Sequence, residues 1–168
     1  MLLLVVGTIN KYPPPAAGWE VVHCDASARG IWDPDQGQCI PIDRVCDMRN
    51  LPFEDGSVDR IQSWHALEHV NEQGGRDAIR EFARVLAPAG VIDLRVPDLE
   101  YARRAENVES VLHLIYGDQT AMVDAELNVH KWGYTLPSLR RLLADYGFHA
   151  KQRPAEYPDE IHILASRA

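Results

Sequence analysis

The chain has little of what several protein classes require. Its three cysteines, Cys24, Cys39 and Cys46, are odd in number and contain no C-x-x-C pair, which gives no disulfide framework or zinc knuckle and suits a reducing compartment. Positive charge is scarce. Seventeen Lys and Arg stand against 25 Asp and Glu, a net charge of -8, so non-specific grip on phosphates is poor and no nucleic-acid partner is expected. The pairs Arg103-Arg104 and Arg140-Arg141 read as solvated helix faces. No apolar run nears the roughly 20 residues of a membrane span. Met1 to Val6 is apolar but short and lacks a basic flank, so it reads as a buried strand, and the expectation is a cytoplasmic protein with no membrane partner. Repeats and low-complexity linkers are also absent, and 168 residues fit a single domain over 1–168.

What is present alternates between short apolar runs and helical patterns, as in a mostly parallel sheet. Leu2 to Val6, closed by Gly7, has the continuous apolar character of a central strand. Pro13-Pro14-Pro15 then forbids a helix interior, because the ring fixes φ and removes the amide donor. Trp19 to Cys24 is the second strand, ending at Asp25, and Ala26 to Asp43 is read as loop with at most one short helical turn. Arg44 to Cys46 is a short third strand ending on Asp47, and Val58 to Trp64 a fourth. A helix is expected over Asn71 to Leu86, with Ile79, Phe82, Ala83 and Leu86 on one face and Ala87 to Gly90 as its stop. Val91 to Val96 is the fifth strand. Leu99 to Leu127 reads as helical, with Val108, Val111, Leu112 and Ile115 on one face before Gly117 interrupts it. After a polar-aromatic linker at His130 to Thr135, Thr135 is the predicted N-cap of a helix over Leu136 to Tyr146. Phe148 to Arg153 and Glu160 to Ser166 close the chain as a strand pair turning at Pro158-Asp159.

Chemistry concentrates where these strands end. Ligands of open α/β sheets bind beyond the carboxyl ends of the strands, where a carboxylate such as Asp25 can accept hydrogen bonds from a ribose diol. A loop-capping aspartate is the alternative. His65, Glu68 and His69 follow the fourth strand in an H-x-x-E-H spacing, which on one helix would direct both histidines at a zinc ion with Glu68 as general base. Here His65 directly follows a run with strand character, and a further ligand would have to come from Glu100, Glu106, Glu109 or His130 without support from spacing. No metal is therefore expected.

The stretch Asp47, Leu51-Pro52-Phe53, Asp55, Ser57, Asp59, followed by His65-Ala66-Leu67-Glu68-His69, resembles the middle of class I S-adenosylmethionine-dependent methyltransferases. In that family D-x-x-x-L-P-F-x-D-x-S-x-D precedes a strand ending in H-x-L-E-H. The similarity runs in order from Leu2 to Phe148, most closely over Asp47 to Val96. His130-Lys131-Trp132-Gly133-Tyr134 adds the H-K-W-x-Y segment of a subset, often predicted methyltransferases of cell-surface glycan clusters. It implies a Rossmann-like α/β sheet in a three-layer sandwich, mostly parallel with a C-terminal antiparallel hairpin. The implied cofactor is S-adenosylmethionine, held by Gly7, Asp25, Asp47, Met48, Trp64 and His65. Asp47 and the Met48 amide would offer an acceptor and a donor to the adenine edge, although Asp47 could equally cap the Arg49-Asn50 turn. The catalytic candidates are His65, His69 and His130, each with an intrinsic pKa suited to a general base. The implied reaction is methyl transfer to a hydroxyl or amine of a small molecule or glycan, with a homodimer possible.

One departure bears on this. Where the family usually has G-x-G-x-G after the first strand this chain has Gly7-Thr8-Ile9-Asn10, and β-branched Ile9 disfavours positive φ. The alternative expectation is therefore a non-catalytic binding or assembly module on the same fold.

Overall fold

Leu2–Val6 (β1) is an unbroken β-branched and leucine run, and it lies in the middle of the sheet because both of its faces are covered. The computed structural model describes residues 1–7, 17–27, 31–33, 38–117 and 127–168. The triple proline and the Thr8-Ile9 positions fall outside them, as do residues 118–126 of the predicted long helix. The remaining strands are Glu20–Asp25 (β2), Ile31–Asp33 (β3), Gln38–Ile40 (β4), Arg44–Val45 (β5), Val58–Trp64 (β6), Leu86–Pro97 (β7), Phe148–Gln152 (β8) and Glu160–Arg167 (β9).

Among the described residues seven strands form one sheet in the order β5-β2-β1-β6-β7-β9-β8. The first five are mutually parallel, and β9 runs antiparallel to both β7 and β8. This is the expected mostly parallel sheet with an antiparallel C-terminal hairpin. The order reverses direction between β1 and β6, and such a switch point opens a crevice at the carboxyl ends of its two strands. Gly7 and His65 stand on either side of it.

Helix α1 (Glu72–Val85) starts where Asn71 Oδ1 accepts from the Gly74 amide at 2.8 Å. It buries Ala78, Ile79, Phe82 and Val85 against the sheet, the spacing of an apolar stripe. Thr135 caps α4 (Leu136–Asp145) as expected, in a reciprocal capping box with Ser138 that satisfies otherwise orphaned amides. Leu139 and Leu143 of α4 join Leu4, Ile61, Phe82, Leu94 and Ile163 in the main core. A smaller cluster of Leu3 and Val5, with Trp19, Val21 and Ile42 against it, lies apart from that core.

Three expectations require correction. The stretch Ala26 to Asp43 is not only loop, because β3 and β4 pair antiparallel within it. The strand expected to begin at Val91 begins at Leu86, directly where α1 ends, and Leu86 pairs with Val58 across a register shift. The helix expected over Leu99 to Leu127 is broken into α2 (Leu99–Ala102) and α3 (Val108–Tyr116). Each begins at its own side-chain cap, Asp98 Oδ1 accepting from the Glu100 amide and Asn107 Oδ1 from the Glu109 amide, both at 2.9 Å. Such local bonds compete with continuous helix. The apolar face of α3 is not buried: Val108 is 69% and Leu112 48% exposed.

Candidate functional site

The tips of β2 and β5 adjoin, with the Cys46 amide donating to the Asp25 carbonyl at 2.9 Å. Asp25 turns its own Oδ1 onto the Ser27 amide at 2.7 Å. Asp47 is held by its own turn. Its Oδ1 accepts from the Arg49 amide and its carboxylate takes the Arg49 guanidinium, which holds the carboxyl below the usual carboxylate range. The turn-capping contact and the strand-tip position thus coexist in one residue. Among the described residues the Met48 amide next to it donates no hydrogen bond, so a free donor sits beside a carboxylate acceptor.

Across the switch point, Gly7 has φ +85°, and a Cβ there would run into the Ala66 side chain. Only glycine lets the β1 tip and the turn after β6 approach this closely. Trp64 packs inward. Its Nε1 donates to Asp93 Oδ1 at 3.0 Å and the Arg95 guanidinium stacks 3.7 Å from its ring centroid.

His65 is the described non-glycine residue with positive φ, +48°, a left-handed conformation that costs of order 1–3 kcal/mol and persists where surrounding contacts impose it. Those contacts are two carboxylates: His65 Nε2 lies 2.9 Å from Glu160 Oε1, and Nδ1 lies 3.4 Å from Glu68 Oε1. Burial pushes the imidazole down, but Glu160 and Glu68 more than offset it, and the ring is pushed up to about 10. His65 is therefore a cation at neutral pH, with both nitrogens engaged.

The H-x-x-E-H segment does not form an α-helix. Leu67–His69 is a single 3₁₀ turn following the strand end, so its histidines are not aligned on one helical face. The segment 129–132 packs onto this turn instead, with the Lys131 and Trp132 amides donating to the Glu68 carbonyl at 2.8 and 3.2 Å. This brings His130 against His69, ring centroids 5.1 Å apart and edge to face. His130 Nδ1 faces the Leu114 carbonyl at 2.8 Å, and His69 Nδ1 faces the Val129 carbonyl at 3.3 Å. A carbonyl only accepts, so each Nδ1 carries a proton and each Nε2 is left without a backbone partner. Burial holds the His130 imidazole below its ordinary pKa against the opposing charge of Glu68. Burial also pushes the Glu68 carboxyl up, but the neighbouring His65 cation outweighs this and holds it below the usual carboxylate range.

Beside this cluster lies a cleft of about 260 Å³, lined by Glu68, Pro97, Leu99, Leu114, His130 and Trp132 among others. The structure thus brings His65, His69 and His130 to one side of the β6 tip, with Gly7 adjoining, while Asp25, Asp47 and Met48 line the neighbouring tips of β2 and β5. Two residues of the site had no place among the sequence candidates. Glu68 was weighed only as part of a zinc motif, although its adjacency to His69 made it visible. Glu160 lies 95 positions from its partner His65, and nothing local announces it.

Residues 6–94 match the family model described as methyltransferase domain. A Mus musculus protein named "Probable tRNA methyltransferase 9B" is 41% identical over 69 residues, 40% of this chain and 15% of that protein. The chain thus spans well under a fifth of that relative's length. Among solved structures, the PH0226 protein from Pyrococcus horikoshii aligns over 99% of this chain and 82% of its own, with a TM-score of 0.63 at 16% identity. Human N-acetylserotonin methyltransferase, crystallised with S-adenosylmethionine, aligns over 99% of this chain and 47% of its own, with a TM-score of 0.63 at 15% identity. At these identities the structural likeness speaks for the fold, which is the α/β methyltransferase sheet.

Proposed function

The chain belongs to the methyltransferase domain family, whose cofactor is S-adenosylmethionine, and from that premise we propose that residues 1–168 form one domain transferring the cofactor's methyl group to a hydroxyl or amine of a small molecule or glycan. The observation that supports this is that Gly7 and His65 end the two strands of the β1/β6 switch point, with a cleft walled by Glu68 and His130 beyond the β6 tip. The donor set fits the cofactor. Asp25 would accept from the ribose diol, Asp47 and the free Met48 amide would meet the adenine edge, and the bare backbone of Gly7 admits the methionine part.

When bound, S-adenosylmethionine supplies an electrophilic methyl group on a sulfonium. The chain's own contribution is to hold the acceptor in line with that carbon, which can supply much of the rate. His65, a cation clamped by two carboxylates, fixes the rim between the two halves of the crevice and does not take a proton. The acceptor's hydroxyl or amine would face the side of the crevice bounded by Glu68, His69 and His130.

The likeness to the probable tRNA methyltransferase spans 15% of that protein, and a net charge of -8 opposes a polyanionic acceptor. A small neutral or cationic acceptor suits the chain better. The test is titration calorimetry with S-adenosylmethionine and S-adenosylhomocysteine, followed by transfer of labelled methyl to pooled glycans, small metabolites and total tRNA. Saturable heat with label in the first two pools is expected. Absence of heat at millimolar cofactor would leave a non-catalytic module on this fold, and label in tRNA alone would overturn the acceptor class.

A further inference from the structure

Glu68 is 1% exposed, and among the described residues neither of its carboxylate oxygens takes a hydrogen bond. A buried carboxylate held by one long ion pair and no hydrogen bond has acceptor capacity left over. Its nearest cation, His65, stands off at 3.4 Å and spends its better contact on Glu160. Two imidazoles stand close by. One ligand atom each from Glu68, His69 and His130 lie within 4.8 Å of one another.

We propose that Glu68, His69 and His130 form a binding site for one zinc-class divalent cation, open on its fourth side to the adjoining cleft. The histidines are set up as metal-binding histidines are. Each donates Nδ1–H to a backbone carbonyl, Val129 for His69 and Leu114 for His130, which fixes the tautomer and aims a basic Nε2 elsewhere. Two imidazoles and one carboxylate suit zinc and its first-row neighbours and do not suit magnesium or calcium, which prefer oxygen. Ligation at about 2.0–2.2 Å would draw the three groups closer than they now stand, within reach of small side-chain rotations.

The ligands come from a 3₁₀ turn and a segment 60 residues later, so this is not the helical H-x-x-E-H site, and His65 takes no part in it. Glu68 and His130 both line the cleft. A three-ligand site with an open position facing a cavity is the catalytic pattern of zinc, whereas structural sites are closed by four protein ligands. The cation site stands on these residues alone. Assigning its open position to an oxygen of the methyl acceptor rests on the methyl-transfer reading.

The experiment uses the full chain, stripped with EDTA and titrated with Zn²⁺ against a chromogenic chelator, and separately with Co²⁺ followed by absorption. One equivalent of Zn²⁺ is expected, with visible Co²⁺ bands and no thiolate charge-transfer band. His69→Ala and His130→Ala should each weaken Zn²⁺ binding by more than about a hundredfold, while His113→Ala, at an exposed position, should leave it unchanged. Thermal melts of the stripped variants show whether they fold. If they do not, the wild-type Co²⁺ spectrum decides, since a thiolate band would place the metal elsewhere. No stoichiometric Zn²⁺, or wild-type binding by a folded His130→Ala, overturns the site. S-adenosylhomocysteine calorimetry on the stripped wild type separates the two ideas, because cofactor heat without Zn²⁺ binding removes the cation and leaves methyl transfer standing.

Discussion

His65 Nε2 and Glu160 Oε1, 95 residues apart, meet at 2.9 Å and tie the tip of β6 to the start of β9. The bond crosses over β7, which lies between those strands, so it locks the antiparallel C-terminal hairpin to the parallel half of the sheet at the edge of the switch-point crevice. Glu160 is almost fully buried. Its carboxyl, pushed up by burial, is held down by His65 and Arg95.

Glu160→Gln keeps the shape and removes the charge, so it should cost roughly 1–3 kcal/mol of stability, toward the lower end because the His65 ring is partly exposed. Urea denaturation measures this. Proton NMR of the wild type should show the His65 ring unchanged between pH 5 and 8, and titration of that ring near its ordinary value would refute the clamp.

Asp93 is one of the buried carboxylates that contribute to acid sensitivity. Burial pushes its carboxyl up, but bonds from His162, Trp64 and Arg60 outweigh this and leave its folded pKa lowered. A lowered carboxyl contributes stability that is complete above the unfolded pKa and disappears as pH falls through the folded one. Unfolding free energy should therefore fall as pH drops below the ordinary carboxylate range of about 4. Asp93→Asn should flatten that fall while lowering stability at pH 7, and an unchanged acid profile in the variant would count against this assignment.

Gly7→Ala combines a left-handed backbone, costing about 1–2 kcal/mol, with a Cβ driven into Ala66, an overpacking of about 1–3 kcal/mol. The sum predicts a clear drop in denaturant midpoint. A midpoint matching the wild type would show that the β1 tip is looser than described.

Asp25→Ala should weaken S-adenosylhomocysteine binding by about 10- to 100-fold, the equivalent of roughly 1.5–3 kcal/mol for charge-assisted hydrogen bonds. The variant also loses the turn contact to the Ser27 amide, so urea denaturation run beside the calorimetry separates lost binding from lost folding. Calorimetry with wild-type affinity in the variant would detach Asp25 from the cofactor.

Much of the scaffold was legible. Apolar runs such as Leu2 to Val6 can only be buried strands, the Asn71 and Thr135 caps mark helix starts, and the 3.6-residue stripe of α1 names its own buried face. The legible features share one property: each is local, carried by neighbours within a turn of helix or a pleat of strand. The errors arose where local signals competed. Asp98 and Asn107 each start a helix of their own, so the periodicity read across Leu99 to Leu127 described two segments as one. Leu86 satisfied the helical spacing of α1 and the pairing with Val58 equally well, and the sheet took it.

The sequence by itself determined the sheet, its carboxyl-end crevice and the family motif from Asp47 to His69, because period and residue type act over a few positions. Only the tertiary structure decided that His65 is a clamped cation, that Asp47 is shared with Arg49, and that His130 rests against His69 beside an unsatisfied Glu68. Protonation state and ligand geometry depend on which charges meet after distant segments pack, and a pairing across 60 or 95 residues leaves no trace in local spacing.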